Sequence, residues 1–271
     1  MTKVLVAYPT AVADNAKQSA ERAWGSDGRA PRSGGGRRRL QRGSLTPELI
    51  VSESLRILDE AGTAGFSMPN LGRALGADPT AVYRHFASKD DLVLAIADKL
   101  IEEAMAGLVA SDCWVDTLIE CTRRLRRTYL QHPAAASLSA CRTTQRAAEM
   151  RTVDVLIGAV LAAGFEGPEA AVMYRAIGDF SLSWAGGEAT FLALDKRLQD
   201  LDRSAWTRAY LAVDRSEYPN TWQIRAELPD VADDDIFETI LSIVLGGIIA
   251  RAPVPCACGD HATAAGADRL G

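Results

Sequence analysis

Residues 67–89, SMPNLGRALGADPTAVYRHFASK, decide the fold. Ser67 can cap a helix by accepting an orphan amide of its first turn, and Gly76-Ala77 supplies a tight turn at its end. Asp78-Pro79 restarts the chain as helix, with Asp as N-cap and Pro at the first position, where no amide is missed. Ser88-Lys89-Asp90-Asp91 then has the form of a capping box ahead of the apolar run Leu92 to Met105. Val82 and Phe86 are four apart, share one face and are expected to pack on Leu71 and Leu75. Thr80 and Arg84 lie opposite them, flanked by Ala81, Tyr83 and His85, so the outward face is short, mixed and rich in hydrogen-bond donors. Two helices joined this way make a helix-turn-helix, whose second helix enters a DNA major groove. An ordinary helical hairpin is the plain alternative.

Working outward, Thr46-Pro47-Glu48 opens a preceding helix, and Ile50, Val51, Ser54, Ile57, Leu58 and Ala61 make its expected buried stripe. Gly62 and Gly65 end it. The four pieces TPELIVSESLRILDEAG, FSMPNLGRALGA, DPTAVYRHFASK and DDLVLAIADKL together resemble the DNA-binding domain of TetR-family transcriptional regulators over residues 46–105. The Tyr-x-His-Phe-x-x-Lys ending is the most specific element. The resemblance implies an all-α fold, with an N-terminal three-helix helix-turn-helix domain joined to a larger helical ligand-binding and dimerisation domain. It also implies phosphate contacts from Ser67 and Lys89, and places Pro79, Thr80, Ala81, Tyr83, Arg84 and His85 in or beside the groove. Lys89 has an independent argument, because a helix N-terminus already favours a phosphate. Arg84 is the best candidate for reading bases, since Arg to guanine is the commonest specific contact. Met68 departs from the pattern: many relatives carry Arg or Thr there.

The net charge of −5 over 271 residues looks wrong for a DNA binder until it is divided. Residues 1–45 carry +6, residues 46–100 carry −3 and residues 101–271 carry −8, so positive charge is concentrated at the N-terminus. The segment RAPRSGGGRRRLQRGS cannot bury a core and reads as part of a disordered basic extension over 1–45. Its Arg37, Arg38, Arg39 and Arg42 could follow the backbone or enter the minor groove, or could be a solvated tail. The helix-turn-helix domain is placed at 46–92, a helical regulatory and dimerisation domain at 93–252 and a disordered tail at 253–271. No run reaches the roughly 18–20 apolar residues of a membrane helix. With no convincing leader, a cytoplasmic, nucleoid-associated protein is expected, with no membrane partner.

Beyond Met105 helices are expected over Asp112–Gln131, Thr143–Ala163 and Pro168–Leu194, with a helix or two in the polar stretch to Pro229 and a last one over 234–251. His132-Pro133 is read as a break. AAVMYRAIGDFSLSWAGGEA and IFETILSIVLGGIIA are apolar almost all round. The resemblance implies that two such helices pair with their symmetry mates in a four-helix homodimer bundle, with an ordinary monomer core as the alternative. A dimer would set two recognition helices about 34 Å apart, one turn of a palindromic operator. The C-terminal tryptophans, tyrosines and Phe180 could enclose a small apolar or amphipathic inducer, with Arg124, Tyr174 and Trp184 as candidate contacts.

Cys256, Cys258 and His261 are potential metal ligands, but Cys-x-Cys-x-x-His is not the usual zinc spacing and no partner cluster is visible elsewhere. No metal and no cofactor is expected, and five cysteines at irregular spacing do not form a disulfide framework. No nucleophile elbow, phosphate loop, dinucleotide fingerprint or zinc-protease motif is present, so no catalytic residue is assigned. The expected function is a sequence-specific DNA-binding transcriptional regulator, a repressor released from its operator by a small-molecule ligand. The alternative is a helical small-molecule-binding protein, or a helical enzyme, with a vestigial DNA-binding domain.

Overall fold

The computed structural model describes residues 45–256, and every described element is a helix or a turn. Helix α1 (Pro47–Gly65) starts where the Thr46 hydroxyl accepts the Leu49 amide at 3.2 Å. It buries Ile50, Val51, Ser54, Leu55, Ile57 and Leu58. Ala61, expected in that stripe, is exposed instead. The chain leaves helical geometry at Gly62 (φ +63°) and folds back, so that a Cβ on Gly65 would lie 2.4 Å from that of Ala61. Leu55 fills the stripe in its place.

Helix α2 (Met68–Ala74) is capped by Ser67, which accepts the Asn70 amide at 3.3 Å, and α3 (Pro79–Val82) is capped by Asp78. The turn between them passes through Gly76 at φ +60°. Gly72 sets how closely they approach: a Cβ there would lie 2.9 Å from Pro79 Cγ and 3.0 Å from the Ala77 carbonyl oxygen. Helix α4 (Lys89–Ala104) has the expected reciprocal cap, Ser88 accepting the Asp91 amide while Asp91 accepts that of Ala87.

The remaining helices are α5 (Trp114–Gln131), α6 (Pro133–Ser139), α7 (Ala147–Ala162), α8 (Gly167–Leu192), α9 (Lys196–Ala205), α10 (Pro219–Ile224) and α11 (Asp233–Ile249). His132-Pro133 breaks the helix as expected, α5 ending at Gln131, and Pro133 then opens the further helix α6 at a position where its missing amide costs nothing. One expectation needs correction. The helix expected from Thr143 begins only at Ala147, because Cys141 (φ +62°) and Gln145 (φ +56°) adopt left-handed conformations in the connection. Asp98 of α4 caps α7 from outside, accepting the Glu149 amide at 2.8 Å.

Two cores result. The first runs from Ile50, Leu58, Leu71, Val82 and Leu92 through Leu100 into Tyr129, Ala135 and Ala189, so it is continuous between the first four helices and the α5–α8 region. The second joins Trp114 and Leu118 of α5, Val160 of α7 and Ile177 of α8 to Phe237, Leu241, Leu245 and Ile248 of α11. No described helix is long and apolar enough to cross a membrane. Packing continues past residue 252, the Val254 amide reaching the Ala163 carbonyl at 3.0 Å. Arg37, Arg38, Arg39 and Arg42, like Cys258 and His261, lie outside the described residues.

Candidate nucleic-acid interface and regulatory cavities

The segment after Asp78 is fixed from below and free above. Val82 is fully buried and Phe86 3% exposed, which locks the chain between them. Helix α3 is only four residues long, and the helical path is continued by His85 and Phe86 amides bonding to the Val82 carbonyl. Between these anchors Tyr83 is 48% exposed, and Arg84 and His85 also face solvent. Pro79 and Ala81 are half-buried beside them. Thr80 is exposed, but its hydroxyl donates to Asp78 Oδ1 at 2.6 Å and its amide to the same atom at 2.8 Å. These two bonds hold the Asp78 carboxyl below the usual carboxylate range, the hydroxyl contributing most. Ser67 spends its hydroxyl on its own helix cap and is half-buried. Lys89 does not simply extend into solvent: its Nζ donates to the Phe66 carbonyl at 3.2 Å and sits 5.0 Å from the centre of the Phe66 ring. It thereby ties the start of α4 to the α1–α2 turn.

Two acids stand next to Lys89, where they would repel a phosphate, and arginines from the α6–α7 region answer both. Arg142 bonds Asp90 through both nitrogens at 3.0 and 2.9 Å, and Arg146 reaches Asp91 at 2.6 Å. The Arg142 guanidinium holds Asp90 below its ordinary carboxylate value. Sequence reading missed both arginines. They lie 52 and 55 residues from their partners, and no local pattern announces such a pair.

Two of the cavities in the C-terminal part bear on the candidate ligand contacts. An open one of about 560 Å³ is lined by Trp184, Glu188 and Phe191 of α8, Arg126 of α5, Asp202 and Arg203 of α9, and Trp206 beyond it. A smaller one, about 70 Å³, lies between Ile101 of α4 and its C-cap Met105, Thr122 and Leu125 of α5, Thr152 and Leu156 of α7, and Tyr174 and Ser181 of α8. Arg142 and Glu149 also line it. Burial raises the Tyr174 hydroxyl above its ordinary pKa and pushes the Cys121 thiol in the same wall up to about 11. The three residues proposed as ligand contacts are therefore not brought together. Tyr174 lines the small cavity and Trp184 the large one, whereas Arg124 lines neither and turns outward to Glu120 (2.6 Å) and the Ala106 carbonyl (2.8 Å). The indole nitrogen of Trp184 is buried without a hydrogen-bond partner.

Sequence comparison matches the model of bacterial regulatory proteins of the tetR family to residues 50–96. The tetracyclin repressor-like C-terminal domain matches residues 108–252, more than half of the chain. The chain belongs to the TetR family. The matches cover α2, α3 and the first half of α4, and then α5 to α11. An HTH-type transcriptional repressor of Mycobacterium tuberculosis is 36% identical over 107 residues, 38% of this chain and 41% of that protein. The chain thus spans about two fifths of that relative's length. A class C tetracycline repressor of Escherichia coli is 24% identical over 207 residues, 75% of this chain and 90% of that protein. Among solved structures, a TetR of Streptomyces coelicolor is 26% identical with a TM-score of 0.63, covering 77% of this chain and 99% of the other. These relatives are regulators, and no metal-binding cluster is found among the described residues here.

Proposed function

We propose that this protein is a cytoplasmic homodimeric transcriptional repressor that binds a palindromic DNA operator and is released by a small-molecule ligand. The observation that carries the reading is the exposed Tyr83-Arg84-His85 surface, held rigid by the buried Val82 and Phe86 beneath it. A donor-rich surface on a buried anchor is what reading a base edge requires. Arg84 supplies direct readout, while Tyr83, Ser67 and Lys89 position the segment against phosphates. Lys89, already bonded to Phe66, presents a cation at a helix N-terminus whose adjacent acids are neutralised by Arg142 and Arg146.

Dimerisation follows from what one chain leaves uncovered. Helices α8 and α11 pack on the second core by one face, while Val172 (59% exposed) and Ile243 (67%) project from the others. Gly246 is exposed on α11 and carries no Cβ contact, so a second helix can approach closely.

The ligand is assigned to the small cavity, because its wall includes α4. That helix is 16 residues long, about 24 Å at 1.5 Å per residue, and its far end carries Lys89. A ligand that moves Ile101 or Met105 therefore moves the operator-binding end as well. Coupling of this kind is typically worth about 1–3 kcal/mol. No catalysis is assigned to the protein.

A randomised-oligonucleotide selection followed by gel shifts tests the reading. The wild type enriches a palindrome and loses affinity steeply with salt. Arg84→Ala relaxes the preferred sequence at about 1–3 kcal/mol per base pair read, whereas Lys89→Ala weakens all sequences alike. Absence of any enriched sequence, or an unchanged preference in Arg84→Ala, overturns it.

A further inference from the structure

We propose that Cys113 and Cys256 form a redox-controlled tether that pins the segment following α11 to the start of α5. The two sulfurs are in contact at 2.7 Å although 143 positions separate the residues. This supplies the partner that the sequence did not reveal for the Cys-x-Cys tail. Cys113 is 8% exposed and is the N-cap of the 18-residue α5, where free backbone amides favour an anion. Cys256 is half-buried against the second core.

The approach does not depend on the sulfurs alone. Val254 donates to the Ala163 carbonyl at 3.0 Å. Gly164, at φ +87°, leaves the slot for that segment: a Cβ there would lie 2.9 Å from Val254 and 3.0 Å from Pro253. The tail is thus seated at the end of α7, and its cysteine is delivered to Cys113. Among the described residues, Cys121 and Cys141 have no cysteine partner.

The oxidant is a hydroperoxide. The more exposed Cys256, as thiolate, attacks a peroxide oxygen, giving a sulfenic acid and releasing an alcohol, or water from hydrogen peroxide. Cys113, as thiolate, then attacks that sulfur, forming the disulfide and releasing hydroxide, which takes up a proton. Two thiols and one hydroperoxide become one disulfide, one alcohol and one water, and a dithiol reverses the change. In the cytoplasmic setting proposed above, disulfides are characteristically transient and redox-sensing, so the pair acts as a switch. When closed, it links the start of α5 covalently to the segment after α11, which the Val254–Ala163 hydrogen bond seats against the end of α7.

The test needs neither operator nor ligand, so it fails or succeeds separately from the repressor reading. The full chain is reduced, freed of reductant, treated with equimolar hydrogen peroxide, alkylated and analysed by intact mass and peptide mapping. Peroxide is expected to protect two thiols, to yield a Cys113–Cys256 cross-linked peptide and to raise the melting temperature by about 10 °C over the reduced protein. Cys113→Ser and Cys256→Ser lose the protection, and Cys258→Ser keeps it. Full alkylation of Cys113 and Cys256 after peroxide overturns the proposal. So does a cross-link to Cys258 in place of Cys256, or stoichiometric zinc shielding the thiols in native mass spectra of the reduced protein.

Discussion

Replacing Arg126 with methionine removes a cation shared by three helices, and exposure sets the size of the effect. Its Nε and Nη2 donate to the two Glu188 oxygens of α8 at 2.7 Å each, and Nη2 also reaches Asp234 of α11 at 2.7 Å. The guanidinium lies 4.4 Å over the Phe237 ring. Glu188 foremost, with Asp234 adding to it, holds this guanidinium above its ordinary pKa against the desolvation that opposes it. Arg126 and Glu188 are 12% and 16% exposed at the wall of the open cavity, so their pair is better shielded than that with Asp234, which is 81% exposed. Arg126→Met retains most of the packing volume but strands the Glu188 carboxylate, at a cost of about 3 kcal/mol. Loss of the ring contact adds about 0.5 kcal/mol. Glu188→Gln leaves the arginine neutralised by Asp234 and costs about 1–2 kcal/mol. Asp234→Asn removes a solvated pair and costs less than about 0.5 kcal/mol. At about 2–4 °C per kcal/mol, melting temperatures fall by about 10, 4 and 1 °C respectively. Differential scanning calorimetry at one fixed protein concentration measures them, because oligomer stability depends on concentration. If Asp234→Asn costs as much as Arg126→Met, or Arg126→Met is neutral, burial is not what gives this network its weight.

Three further outcomes are expected. Asp78→Ala lowers the melting temperature at pH 7. The folded Asp78 carboxyl is depressed, so its contribution is present above the ordinary aspartate value near 4 and is lost as pH falls through the folded value; the gap between variant and wild type closes there. Gly186→Ala would place a Cβ 2.4 Å from that of Ala140, and this overpacking outweighs the gain in helix propensity by about 1–2 kcal/mol. The double variant Gly186→Ala/Ala140→Gly, measured by urea unfolding, recovers part of that loss. Ile243→Asp, on the exposed face of α11, leaves the helical circular dichroism unchanged but sediments as a monomer. A dimer of unchanged affinity would place the interface elsewhere.

The first four helices were legible because their determinants are local. Thr46, Ser67, Asp78 and Ser88 each accept an amide two or three residues ahead, and the Val82–Phe86 spacing fixes which face turns inward. The rest is decided by distant partners. Helices α8 and α11 are apolar nearly all round, so periodicity could say that they pack but not against what. Helix α6 follows directly on the His132-Pro133 break, and its seven alanine-rich residues are too few to show a period of their own. The pairs Arg142–Asp90 and Cys113–Cys256 exist only because the chain folds back over 52 and 143 positions. Arg124 is held by Glu120 on α5 and lines neither of the two cavities described.

The size of the cavity beside α4 bears on the timing of induction. At about 70 Å³ it is far below the 300 Å³ or more of an ordinary ligand site. On the proposal that the ligand enters here, it must find the wall already parted, and its apparent affinity is its intrinsic affinity reduced by the fraction of molecules open at any moment. The observed rate of induction then stops rising with ligand concentration once opening itself limits it. Substitutions that thin this wall, such as Leu156→Ala, would quicken the response without adding a single contact to the ligand.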